Sequence, residues 1–322
     1  MIDALRDEPR LILKAKLKPV AGSAFQPTGF PDLGPAEFER PRADGETEQA
    51  LLVESVQSLA NRLEGVAWNK DEQRPATAVS SLPYVAVREK GSDHFLTSSR
   101  LEPHRLAGAY IRSSKIDGSG GDDWLIEKAG VEKGHPLNWR GLYRFLFDLD
   151  PLCLIHGVFF SSPKWRDYGN PRVRRAVTAL IEAHGVRPVV SGGVKRDDVN
   201  PTTAEKRGSS EGFGFVPFGR TEYTARSIEL DVVLDLEQLR GYGLGEEETD
   251  LLTAVALWEI RSLLDKPLRL RTACDLELDG EPQVTRPEGG RLPAGAEIEA
   301  AIASSKVSFD DGVPVVAEYE TS

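Results

Sequence analysis

The sequence predicts an α+β fold, and three features carry the prediction. Segments of strict two-residue alternation recur along the chain, segments of helical spacing are interleaved with them, and the composition supplies enough apolar material to cover both. Of the 322 residues 40% are hydrophobic and 28% charged. That is a globular composition rather than a disordered one. The length exceeds the roughly 250–300 residues at which a single core stops growing, so one large elaborated domain or two fused ones are expected.

Residues 10–18 alternate, with Leu11, Leu13, Ala15 and Leu17 on one face and Ile12, Lys14, Lys16 and Lys18 on the other. This is a half-buried strand whose lysines either discourage pairing at a sheet edge or track phosphates. Residues 19–47 carry five prolines and four glycines and read as a long irregular excursion. Helical spacing over 48–64 places Leu52, Val56, Leu59 and Leu63 on one side, with Ser55, Ser58 and Arg62 opposite, Gln57 and Asn61 beside them, and Gly65 as the stop. A strand follows over 82–88, a helix over 102–112, a flexible loop at 118–123 and an aromatic-rich helix over 139–149. The apolar run 152–160 reads as a central strand buried on both faces. Asn170 and Pro171 punctuate the start of a helix that carries Val173, Val177, Leu180 and Ile181 and stops at Gly185. Residues 186–194 form a strand and 195–219 a polar, glycine-bearing loop. The alternation over 228–236 predicts another strand. The segment 246–265, acidic in its first turn and apolar almost all round, predicts a buried helix. A last strand covers 268–278.

Strand, helix, strand, then strand, helix, strand is the order of a ferredoxin-like or RNA-recognition-motif sheet with its helices on one side. The expected organisation is therefore an RNA-recognition-motif-like core over residues 1–285, with insertions at about 19–47, 89–150 and 195–219. An acidic, weakly ordered segment, 286–322, follows it. No apolar run approaches the ~18 residues of a membrane span. The charged N-terminus does not read as a secretory signal, and a cytoplasmic protein is expected.

Catalytic patterns are missing. There is no phosphate-binding Gly-x-x-x-x-Gly-Lys loop, and His94, His104, His135, His156 and His184 are dispersed without metal-ligand spacing. Cys153 and Cys274 lie far apart, so neither a disulfide framework nor a zinc knuckle is indicated. The paired acids Asp122-Asp123 and Asp197-Asp198 have no partners in sequence and read as solvated. No catalytic residue, metal ligand or cofactor is assigned. The expectation is a protein that is not an enzyme.

Charge points to binding instead. The formal net charge is −11, which at face value excludes a polyanion. Yet residues 164–226 hold 12 basic against 7 acidic side chains, while 227–265 hold 2 against 10. Phosphate binding depends on the local charge. Lys164-Trp165-Arg166-Asp167-Tyr168 mixes cations with stacking surfaces, although Trp165 and Tyr168 serve equally well as caps on a core. Arg172, Arg174 and Arg175, read in the first turn of a helix, oppose its dipole unless an anion sits there.

The segments Ala50-Leu51-Leu52-Val53-Glu54-Ser55-Val56-Gln57-Ser58-Leu59-Ala60-Asn61-Arg62, Ser98-Ser99-Arg100-Leu101-Glu102-Pro103-His104-Arg105, Ser191-Gly192-Gly193-Val194-Lys195 and Leu268-Arg269-Leu270-Arg271-Thr272-Ala273-Cys274-Asp275-Leu276 carry a family likeness. In their order and spacing, over about residues 10–280, the chain resembles the backbone subunit of type I-U (I-G) CRISPR surveillance complexes, of the RAMP superfamily. The resemblance implies several copies stacked along one CRISPR RNA, which is presented for pairing with target DNA, with a thumb-like excursion from each copy. It also implies a large subunit and a repeat-processing subunit as partners, and cleavage by a separate protein. The guide contacts it implies here are Ser55, Asn61, Arg62, Arg100, His104, Arg105, Lys195 and Arg196. The charge distribution adds Lys164, Arg166, Arg172, Arg174, Arg175, Lys206 and Arg207. Two other readings compete: a metal-dependent nuclease of the same superfamily acting through Asp122, Asp197 or Asp198, and an acidic interaction protein that binds no nucleic acid.

Overall fold

The structure, a computed structural model, describes residues 2–30, 33–195, 216–309 and 314–321. Its larger sheet begins with β1 (Arg10–Pro19), and β2 (Glu37–Pro41) and β3 (Thr47–Glu54) pair as neighbours. Helix α1 (Val56–Val66) follows, then β4 (Val85–Glu89), β5 (Phe95–Ser98), α2 (Gly121–Lys128), α3 (Trp139–Leu149) and α4 (Leu152–His156). The next strands are β6 (Val177–His184), β7 (Arg187–Lys195), β8 (Val216–Thr224) and β9 (Ser227–Asp235). Helices α5 (Leu236–Gly241) and α6 (Glu246–Leu264) precede β10 (Leu268–Arg271), β11 (Cys274–Leu278) and β12 (Gln283–Arg286), and the chain closes with α7 (Gly295–Ala303) and β13 (Val315–Tyr319). This is a mixed helix and sheet architecture, as the patterning predicts.

The larger sheet is antiparallel in the order β10-β11-β1-β9-β6-β3-β2, with β12 also paired to β1. Leu11, Leu13, Ala15 and Leu17 of β1 and Ile228, Leu230, Val232 and Leu234 of β9 are buried on its inner face, where α1, α4 and α6 join the same core. Strand β1 is interior, so its lysines do not guard an edge. On the outer face each stands directly opposite an acid: Lys14 opposite Asp231, Lys16 opposite Glu229 and Lys18 opposite Glu277. Lys14 Nζ lies 2.7 Å from Asp231. Cross-strand charge pairing accounts for them.

Several segments fold differently from their sequence patterns. The predicted helix 102–112 is a 3-10 turn, Arg105–Ala107, and a five-residue helix, Ala109–Ser113, and the predicted loop 118–123 runs from the short strand Ser119–Gly120 into α2. Residues 47–54 are strand, and the helix starts only after Ser55, because Ala50, Leu51 and Val53 pair into the sheet core. The predicted central strand 152–160 is α4, then Gly157 at φ +79° and a two-residue strand, Val158–Phe159. A continuous apolar run suits a helix buried all round as well as a buried strand. The predicted helix 170–185 is a short strand, Arg172–Val173, followed by β6, whose buried residues Val177, Ala179, Ile181 and Ala183 alternate. Here long-range pairing with β9 and β3 overrides a locally helical composition. Finally, the single strand 268–278 folds back on itself at Ala273 (φ +56°) to make the β10–β11 hairpin.

The insertion 89–150 holds β5, α2 and α3. With β4, it contributes to a second sheet in the order Ser119–Gly120, Lys115–Ile116, β13, β4, β5. The acidic C-terminal segment is not a loose tail: α7 packs on the core through Ile298 and Ile302, and β13 lies parallel to β4 inside the second sheet. Strands β7 and β8 continue the β6–β9 ladder beyond the sheet as a two-stranded arm. Phe25 bridges its base at Tyr223. Residues 196–215, at its far end, lie outside the described residues.

The core contains an ionisable pair. His156 Nε2 on α4 is 2.9 Å from Glu259 on α6, and both side chains are fully buried. Burial holds the imidazole down at about 4, helped by the Arg105 and Arg175 charges and opposed by Glu64 and Asp150. Burial likewise pushes the Glu259 carboxyl up. Burial thus disfavours the charged form of each group. An unfolded histidine takes up its proton near pH 6.5, so the stability His156 contributes is present above that pH and lost as pH falls toward 4. Glu259 has the opposite sign, its contribution being lost as pH rises above the ordinary carboxylate range. Urea unfolding at pH 6.5 and at pH 5 checks the acid limb: the native chain is expected to lose about 2 kcal/mol more than the His156→Gln variant over that interval.

Candidate nucleic-acid interface

Several cations that the sequence nominates as guide contacts turn inward. Glu54 ends β3 fully buried and is held from three sides. Ser58 Oγ and an Arg271 guanidinium nitrogen donate to it, and Arg62 Nε donates to Oε1 at 2.9 Å. Arg62 also donates to the carbonyls of Arg269 (3.2 Å) and Leu270 (2.5 Å), so it ties α1 to β10. Burial lowers its guanidinium from the usual arginine range. Ser55 is the N-cap of α1, its Oγ accepting from the Ser58 N–H at 3.3 Å.

Arg100 and Arg105 are buried as well. Arg100 donates to the carbonyls of Val79, Leu82 and Pro83 and lies 5.2 Å from the Tyr84 ring centroid. Arg105 sits at φ +54°, pairs with Glu64 of α1 and donates to the Gly157 carbonyl at 2.8 Å. His104, next to it, is exposed. These arginines hold the chain together and leave little of their charge for a ligand.

A different set reaches solvent. After α4, Gly157 turns the chain into a hairpin in which Val158 pairs with Val173 and Phe159 with Arg172. A Cβ on Gly157 would lie 2.7 Å from the Val173 carbonyl oxygen, so the turn admits no larger residue. Val158 and Val173 point into the core, while Phe159, Arg172 and Arg174 face out. Arg175, half-buried, donates to Gln57 Oε1 at 2.6 Å, and Gln57 Nε2 donates to Asn61 Oδ1 at 3.1 Å. Through Gln57 the structure thus joins Arg175 to Asn61 at the rim where α1 meets the hairpin, with Arg172 and Arg174 exposed on the same short stretch of chain. Burial, then the charges of Arg105 and Arg172, lower the Arg175 guanidinium, against the pull of Glu64. An anion placed there would relieve that repulsion. None of the three arginines has a carboxylate partner among the described residues.

Lys164 and Arg166 lie on the 3-10 turn Pro163–Tyr168 between the hairpin's strands. Lys164 is paired with Asp123 at 2.6 Å, and Arg166 is exposed. Trp165 caps the core: it is fully buried, stacks on Phe160 at 4.3 Å and donates to Asp122 Oδ1 at 3.1 Å. Asp122, the described member of the candidate nuclease set, also accepts from Ser162 Oγ (3.0 Å) and Arg112 Nε (3.3 Å). Asp197 and Asp198 lie outside the described residues, as do Arg196, Lys206 and Arg207. For Lys195 only the backbone, at the end of β7, is described. Among the described residues no group of three or more His, Cys, Asp or Glu side chains is arranged to hold a metal.

Two features of this rim are not assigned to it by the sequence reading. Gln57, the link between Arg175 and Asn61, is unremarkable in a helical pattern. Phe159 is hidden in an apolar run, although two adjacent residues on a strand must face opposite ways, so Phe159 and Phe160 cannot both be buried by the same face.

The two classes of arginine separate in a stability measurement. Arg105→Ala leaves Glu64 without its partner and the Gly157 carbonyl without its donor, and chemical denaturation is expected to show a loss of about 4 kcal/mol. Arg174→Ala is expected to stay within about 0.5 kcal/mol of the native chain.

Comparison with known proteins adds the family. A family model described as CRISPR-associated protein GSU0053 matches residues 11–188. No curated protein matches the chain. Among solved structures, a chain of a CRISPR RNA-guided surveillance complex in a pre-nicking state is similar at 13% identity, over 84% of this chain and 74% of that one, with a TM-score of 0.42. Csc2 from Thermofilum pendens is similar at 11% identity, over 96% of this chain and 75% of that one, with a TM-score of 0.31. The family match spans more than half of the sequence, from β1 through the arginine-bearing hairpin to the start of the arm, and the chain accordingly belongs to the CRISPR-associated GSU0053 family.

Proposed function

We propose that this subunit is a non-catalytic scaffold that binds the CRISPR RNA guide, in several copies along its length, and presents it for pairing with target DNA in antiviral defence. The observation that carries the reading is the rim formed by Arg172, Arg174 and Arg175 with Gln57 and Asn61: cations without carboxylate partners on a fixed hairpin, beside amide side chains. Such a surface grips a phosphate backbone without reading sequence, as a subunit that must accept any guide requires. Strand order supports the fold part of the proposal. Strand β1, helix α1, strands β6 and β9, helix α6 and strand β11 follow one another in the chain, with β11-β1-β9-β6 as neighbours in space. That is the order of an RNA-recognition-motif core, to which β3 and β2 add at one edge. The β7–β8 arm is the candidate thumb.

The partners in this reading are CRISPR RNA, target DNA through the guide, neighbouring copies in a head-to-tail filament, and the large and repeat-processing subunits. Among the described residues no helix is long and apolar enough to cross a membrane, and the proposed location is the cytoplasm.

Co-expression with the partner subunits and a CRISPR transcript, purification without nuclease and sequencing of the bound nucleic acid test the proposal. Guide-sized RNA is expected, and its absence would sink the scaffold reading. Replacing Arg172, Arg174 and Arg175 with alanine is expected to weaken RNA binding and to flatten the salt slope by about 0.7 for each phosphate that is no longer neutralised. Incubation of the purified chain with RNA or DNA and magnesium or manganese is expected to give no cleavage.

A further inference from the structure

We infer that Phe159 and Arg172 form a stacking platform for one unpaired base of a single-stranded nucleic acid, an inference that rests on the guide-binding reading and deepens it. Phe159 is 45% exposed, and the Arg172 guanidinium carbon lies 5.7 Å from its ring centroid. A single exposed aromatic is ordinary on a protein surface. This one differs in its setting.

Its backing is rigid. Val158 and Val173 beneath it are buried, the next residue, Phe160, is pinned against Trp165, and Gly157 at the hairpin's root has no room for a side chain. The ring is therefore presented with little freedom to collapse inward, and ordering it on binding costs little entropy. Its chemistry is also matched on both counts. The aromatic ring and the planar guanidinium offer faces that take a base by stacking, while Arg174 and Arg175 on the same stretch of chain supply cations for the adjoining phosphates. A duplex hides its base faces, so the occupant is single-stranded. Stacking of this kind tolerates any base, which agrees with a guide whose sequence varies.

The test compares the native chain with Phe159→Leu and Phe159→Trp by fluorescence anisotropy. The probes are a labelled oligouridylate and an abasic phosphodiester of equal length and charge. Phe159→Leu is expected to weaken oligouridylate binding roughly tenfold, with abasic binding and the salt slope unchanged, and Phe159→Trp is expected to restore the affinity. If the native chain binds both probes and Phe159→Leu binds both equally well, the platform is overturned while guide binding stands. Equal loss on both probes, accompanied by a change in oligomeric state, assigns the ring to a contact between copies and also overturns it. A native chain that binds neither probe overturns guide binding and the platform with it.

Discussion

The arrangement of the rim depends on two carboxylates that clamp α1 at its ends. Glu54, just before the helix, gathers Arg62 and Arg271 and so fixes the helix to the β10 edge of the sheet. Glu64, in its last turn, gathers Arg105, whose other nitrogen reaches the Gly157 carbonyl. Through that second clamp the position of α1 is passed directly to the root of the hairpin. A buried carboxylate without its cation costs several kcal/mol, so neither clamp can slip while the chain stays folded. Gln57 and Asn61 ride on the clamped helix and Arg172 and Arg174 on the clamped hairpin, and the two sets meet at Arg175.

Internal pairing of this kind takes up three arginines that the family resemblance implies as guide contacts, Arg62, Arg100 and Arg105. In the fold their guanidinium groups satisfy backbone carbonyls and buried acids that water cannot reach. Arginine suits this task, since its planar fork can serve two or three acceptors at once. Arg172, Arg174 and Arg175, after Gly157, are among the arginines that keep no carboxylate partner among the described residues. The local excess of positive charge in residues 164–226 includes these arginines, although the segment that the sequence reads as their helix is strand at Arg172–Val173 and again from Val177.

How far the fold could be read follows from where its information resides. The alternation in β1 and β9 and the apolar surround of α6 are local signals, and each of those elements forms where the pattern puts it. Residues 170–185 fail because Ala, Leu, Glu and Arg favour a helix locally, while the partners that make β6 a strand lie about fifty residues further along in β9 and far upstream in β3. The run 152–160 fails for another reason, because total burial erases the periodicity that separates the two structures. The candidate site was legible as a charge excess and, for Asn61, through the family resemblance, and its geometry was not: the Arg175–Gln57 contact joins residues 118 positions apart.

Electrostatics also assigns a place on the surface. The outer face of the sheet carries Lys14, Lys16 and Lys18, but Asp231, Glu229 and Glu277 stand opposite them in register, with Asp279 3.5 Å from Lys18. A phosphate backbone lying across β1 and β9 would have to compete with those acids for every lysine, and no aromatic side chain on these two strands offers a stacking face. On the proposed reading the polyanion is turned away from the middle of the sheet and toward its rim, where the arginines have no competitor. The negative total charge of the chain is compatible with such a site, because phosphate binding depends on local charge and the hairpin supplies cations without carboxylate partners on a rigid support.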